Sequence, residues 1–137
     1  MPTLTTIRRI KPPKRAKTDL QRIQDKARRQ KHENRFEFLW KAICGPPLKR
    51  EHRFDEKRKW RFDFAHHDTQ VAIEIEGGMW TKSRHTNGAG YSQDCEKYNA
   101  ATLQGWRIFR LTPDMITAIN LQYIKGYIEG ILIARDH

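Results

Sequence analysis

The chain has 137 residues, 37% of them hydrophobic and 31% charged, which is apolar material for one small core rather than two. Lys and Arg number 27 against 16 Asp and Glu, and the resulting net charge of +11 favours a polyanionic partner, nucleic acid foremost. Two cysteines, Cys44 and Cys95, with no CxxC pair argue against a disulfide framework or a cysteine zinc site. With no signal-peptide h-region and no membrane-length apolar run, the expectation is a cytoplasmic protein.

Residues 1–17 carry Arg8, Arg9, Lys11, Lys14, Arg15 and Lys17 without a single acid, and Pro12–Pro13 opposes regular structure. They read as a flexible basic arm, able to follow a phosphate backbone or to stay solvated, ahead of a single domain over 18–137. Thr18 is a candidate N-cap for a helix that begins with Leu20, Ile23 and Ala27. Its basic middle gives way to Phe36, Leu39, Trp40 and Ile43 at i, i+3, i+4 and i+7, and Gly45–Pro46–Pro47 ends it. The second half is expected on the core, with the first projecting. Glu37 lies beside the apolar stripe, from where it either approaches the acidic strands or remains solvated. Residues 49–54 suit an edge strand guarded by Lys and Arg.

The stretch from Trp60 to Trp80 reads as two β-strands joined at His66–Asp68, with acids inside otherwise apolar strands. Such burial is costly unless something positive compensates it. Trp60, Phe62 and Phe64 are expected on one face of the first strand, with Arg61, Asp63 and Ala65 on the other. On the second strand Val71, Ile73 and Ile75 oppose Ala72, Glu74 and Glu76. A tight turn at His67–Asp68 sets Asp63 across from Ala72, with Glu74 as its diagonal neighbour. Two carboxylates from different strands then converge beside a small residue, an ion-binding geometry. His66, His67 and His85 lack the spacing of a zinc site.

Residues 77–91 form a long linker in which Lys82, Arg84 and His85 are within reach of a phosphate, and Trp80 either plugs the core or stacks on a base. Ser92 is a candidate cap for a helix to Gln104, with Asp94 and Glu96 in its first turn and Gly105 just past its end. Residues 105–111 then read as a strand. Thr112–Pro113 opens a helical region holding Ile116 and Ile119, followed by Leu121, Ile124, Ile128 and Ile131 at helical spacing.

The order is α/β, an αβββαβ core with a mixed central sheet flanked by helices, plus a basic arm and a C-terminal helix. With RFDFA and IEIEG on its second and third strands, it resembles the PD-(D/E)XK, or restriction-endonuclease-like, nuclease superfamily. EIEGGMW and GWRIFRLT are similar to segments of the small very-short-patch-repair (Vsr) endonucleases within it. The resemblance spans roughly 36–115 and implies that Asp63 and Glu74 bind Mg²⁺, with Mn²⁺ able to substitute and the backbone carbonyl of Ile75 as a further ligand. The superfamily places a lysine two residues after its second acid, where this chain has Glu76. Either Glu76 binds a second metal or acts as base, or an amine arrives from elsewhere, with Lys97 and Lys82 as candidates. The implied activity is that of a metal-dependent deoxyribonuclease acting on DNA, structure- or mismatch-selective. A single small domain with one acidic site cuts one strand per event, so double-strand or junction cutting is expected to require a homodimer. The alternative is a non-catalytic basic module that binds DNA or RNA on the same fold.

Overall fold

The computed structural model describes residues 15–77 and 88–137. Its elements are α1 (Asp19–Ala42), β1 (Lys49–Arg53), β2 (Arg61–His66), β3 (Val71–Ile75), α2 (Gly88–Leu103), β4 (Arg107–Leu111), a 3₁₀ turn at Pro113–Met115, and α3 (Ala118–Arg135). No helix among the described residues is long and apolar enough to cross a membrane.

Helix α1 starts with a capping box. The Thr18 hydroxyl accepts the Gln21 N–H at 3.2 Å, and the Gln21 amide oxygen accepts the Thr18 N–H at 3.0 Å. It ends in a left-handed residue, Cys44 at φ 56°, followed by Gly45, whose N–H reaches the Trp40 carbonyl at 2.9 Å. Trp40 in turn donates its indole N–H to the Pro46 carbonyl at 2.7 Å. A Cβ on Gly45 would lie 2.3 Å from that indole, so the close turn requires glycine. Phe36 and Trp40 are buried while Leu20 and Ile23 are exposed, so the C-terminal half packs and the N-terminal half projects, as the sequence predicts.

The four strands form one mixed sheet in the order β1-β2-β3-β4, antiparallel except for β3 and β4. A parallel β3–β4 pair needs a crossover, and α2 lies within it. Phe36 and Trp40 of α1 and Leu121, Ile124 and Ile128 of α3 pack on one face, against Phe64, Val71, Ile73, Ile75 and Leu111. On the other face Ala101 of α2 meets Phe62, Ala65, Ala72 and Trp106. Central β3 is covered on both sides, so all five of its residues are buried, Glu74 among them.

Four local expectations are corrected. The hairpin turn is wider than a two-residue connection: His67 to Gln70 form it, closed by the Gln70 N–H on the His67 carbonyl at 3.1 Å with Gln70 at φ 52°. Ala72 therefore pairs with Ala65, not Asp63, and continuing that register brings Asp63 level with Glu74. Phe62 and Phe64 lie on opposite faces, because the strand breaks its alternation at Asp63. Opposite Asp63 in the β1–β2 register, Glu51 adopts φ 48°, and the Ile75 N–H binds the Asp63 carboxylate at 2.8 Å. Finally, α2 begins at Gly88, so Asp94 and Glu96 sit past its first turn. After β4 comes only a 3₁₀ turn, and Ile119 is exposed at the start of α3.

Candidate active site

Glu74 is an acid in a strand whose neighbours are all buried, because β3 is the central strand and α2 covers its second face. Only 7% of it is exposed. Burial first, and then the negative charge of neighbouring Asp63, push its carboxyl up to about 7. The one strong compensation is Lys97 of α2, whose ammonium donates to the Glu74 carboxylate at 2.6 Å. The Lys97 ammonium lies over the rings of Phe62 and Tyr98, at 5.7 and 5.6 Å from their centroids. Aromatic packing thus aims the amine at the strand rather than at Asp94 on its own helix.

Asp63 is half-buried and fixed by the Ile75 N–H. Glu76, the residue after β3, takes a charge-assisted hydrogen bond from the Arg110 guanidinium of β4. Arg110 also stacks on Tyr98, 4.4 Å from its ring centroid. The Tyr98 hydroxyl is pushed above its ordinary value by burial and by the charge of Glu74. These residues open onto a cleft of about 390 Å³ lined by Asp63, Glu74, Ile75, Glu76, Asp94, Lys97 and Tyr98, with Arg29 and Arg61 at its sides.

Glu33 of α1 stands behind this floor, 6% exposed, and its carboxyl is raised by burial and then by the charge of Asp63. Arg50 of β1 bridges it at 2.8 Å and reaches Glu37 at 3.2 Å. Of the residues singled out from sequence, Asp63, Glu74, Ile75, Glu76 and Lys97 meet in one cleft. Glu37 is engaged by Arg50 outside it. Arg15 and Lys17 precede α1, and Lys17 binds Asp25. Arg8, Arg9, Lys11, Lys14, Lys82, Arg84 and His85 lie outside the described residues.

Glu33, Arg110 and Tyr98 join the site without a sequence motif to mark them. Glu33 left a legible trace, because it precedes Phe36 by three and Trp40 by seven and so shares their buried face more closely than Glu37 does. Arg110 left none, since only the parallel β3–β4 register sets it beside Glu74.

Among the described residues no three His, Cys, Asp or Glu side chains converge on one point. The donor set at the cleft floor is therefore two carboxylates, Asp63 and Glu74, with the β3 backbone between them. That set fits a hard divalent cation such as Mg²⁺, which keeps most of its waters and takes one or two carboxylates. A cation there would offset both the burial and the Asp63 charge that raise the Glu74 carboxyl.

No protein-family model matches the chain, and no curated protein matches it. Among solved structures it is similar to the catalytic domain of the homing endonuclease I-Bth0305I, with a TM-score of 0.49 and 17% sequence identity, over 75% of this chain and 94% of that one.

Proposed function

We propose that this chain is a divalent-metal-dependent DNA endonuclease that hydrolyses phosphodiester bonds. The observation carrying this reading is the Asp63–Glu74 pair with Lys97 on Glu74, at the floor of an open cleft in a chain of charge +11. Asp63, Glu74 and the carbonyl of Ile75 would hold Mg²⁺ or Mn²⁺. When bound, that cation supplies a Lewis acid for the phosphate and a counter-charge for the leaving oxygen.

The side chains do the rest. Lys97 would do the work of the superfamily's motif lysine from a different element, standing on α2 instead of β3 and donating to the Glu74 carboxylate. Its three donors can bind Glu74 and still orient a water or meet the charge that develops on phosphate. Glu76 is a positioning residue: its negative charge is matched by Arg110, which it holds over Tyr98 at the cleft wall. Tyr98, retaining its proton at all ordinary pH, can act only as a neutral donor or as packing. Asp63 and Glu74 share one strand pair and make one such site among the described residues, so one chain is expected to cut one strand per event.

The test is a substrate panel of plasmid, mismatched, flap and four-way-junction DNA, incubated with Mg²⁺, Mn²⁺ or EDTA. Wild type is expected to cut only with metal, and Asp63→Ala and Glu74→Ala to cut nothing while retaining wild-type circular dichroism. Equal cleavage by wild type and both variants would sink the reading. Salt-sensitive binding without cleavage in any metal would leave the non-catalytic module.

A further inference from the structure

The N-terminal half of α1 has no evident reason to exist as packing. From residue 15 to residue 31 the side chains are exposed or nearly so, and burial begins at Glu33. A helical segment that lies off the core and leaves even Leu20 and Ile23 exposed gains little from the fold, yet this one opens on a full capping box at Thr18. Over the same span seven basic residues stand against two acids.

Arg22, Lys26 and Arg29 fall at i, i+4 and i+7, on one face of this segment, and Glu33 continues the row at i+11. They line a groove of about 430 Å³ with Lys17, Asp25, Gln30, Glu33 and Glu51. The groove leads into the catalytic cleft, since Arg29 and Glu51 line both. Its acids already have cationic partners. Asp25 binds Lys17, Glu33 binds Arg50, and Glu51 lies 3.6 Å from Arg61. Arg22 is only 3.6 Å from the fully exposed Asp19, a weak pair. Lys26 and Arg29 make no ion pair with any described residue.

We infer that this face of α1 is a phosphate track, on which Arg22, Lys26 and Arg29 hold the backbone of a DNA strand leading into the cleft. The inference rests on the nuclease reading and gives that site its substrate path. From Arg22 to Arg29 the helix rises about 10 Å, which spans roughly three phosphates of a strand at about 3.4 Å of axial rise each. Three cations thus meet three phosphates. The contacts go to the backbone only, so the track supplies affinity and register without sequence choice.

The test is binding of a fluorescein-labelled duplex followed by anisotropy in EDTA, where cleavage does not intervene, at a series of salt concentrations. The variant Arg22→Gln/Lys26→Gln/Arg29→Gln keeps good helix formers at exposed positions. A control, Lys41→Gln/Lys57→Gln/Lys59→Gln, removes the same charge from exposed positions that line neither cavity. The track variant is expected to lose about 100-fold in affinity at 0.1 M salt and about 2 to 3 from the slope of log K against log salt, and the control less than one. Track and control variants that bind alike overturn the inference, as does poly-glutamate competing as well as unlabelled duplex. If the track variant loses binding while wild type cleaves nothing in any metal, the track stands and the nuclease reading fails. If wild type cleaves and the track variant binds unchanged, the track alone fails.

Discussion

Glu74 links the chemistry of the cleft to the stability of the fold. Its carboxyl binds a proton more tightly in the folded chain, at about 7, than the ordinary 4.5 of an unfolded one. Between those values the native state holds the extra proton, so this residue's contribution is fully present below about 4.5 and is lost as pH rises through about 7. His52 and His66 act in the opposite sense, because burial lowers both and they lose stability as pH falls. The effect of Glu74 is therefore read as a difference. In EDTA, Glu74→Gln is expected to gain stability over wild type between pH 5 and pH 8, by up to about 3 kcal/mol. Denaturant melts of the two proteins at four or five pH values measure it. A gap that does not change with pH would show that the carboxylate carries no such burden.

Lys97 and Glu76 are separated by the same kind of comparison. Lys97→Met keeps a stem of similar shape but removes the charge that lies over Phe62 and Tyr98. It is expected to lower the cleavage rate by about 100-fold or more, as loss of a donor to developing charge does. Glu76→Gln keeps a hydrogen-bond acceptor for Arg110 and is expected to stay within about tenfold of wild type. If Glu76 is instead a general base, its loss falls in the 10²–10⁴-fold range, well outside that tenfold. Single-turnover cleavage at saturating metal reads both.

At the level of elements, two glycines in the chain have opposite consequences. Gly45 sits so close to the Trp40 indole that alanine there must displace a buried ring, and Gly45→Ala is expected to cost about 1–3 kcal/mol. Gly126 lies within α3, and a Cβ added to it meets nothing within 4 Å. Gly126→Ala is then expected to stabilise by about 0.5–1 kcal/mol through the unfolded chain's lost freedom. Thermal melts of the two variants should move in opposite directions. The elements themselves were largely legible. Thr18 with Gln21, the Phe36–Trp40 stripe, Gly105 and Thr112–Pro113 mark ends that depend on a few neighbouring residues. The pairing of β2 with β3 was not. A turn two residues longer than expected moved the register, and the side chain of Asp63 took over a ladder hydrogen bond.

Over the whole molecule, the charge of +11 is unevenly used. Acids are gathered at the cleft floor and its rear, and cations lie on the projecting helix that leads to it. If the proposed site is the one that cuts, cleavage of both strands in a single binding event needs two copies of it, so such cleavage is expected to bring a dimer with it. Sedimentation of the protein with an uncleavable duplex in Ca²⁺ checks this, and a strictly monomeric complex that still linearises plasmid in one event would refute it.

The sequence by itself determined the order of elements, the burial of the α1 stripe and the presence of Asp63 and Glu74 on neighbouring strands. Those features rest on periodicity, capping and turn chemistry, which act over a few residues. Tertiary structure alone decided that Lys97 crosses from α2 to Glu74, that Arg110 takes the charge of Glu76, and that Glu33 rather than Glu37 lies behind Asp63. Each of these depends on strand register or on the packing of a helix against the sheet, and neither is written in the spacing of residues along one segment.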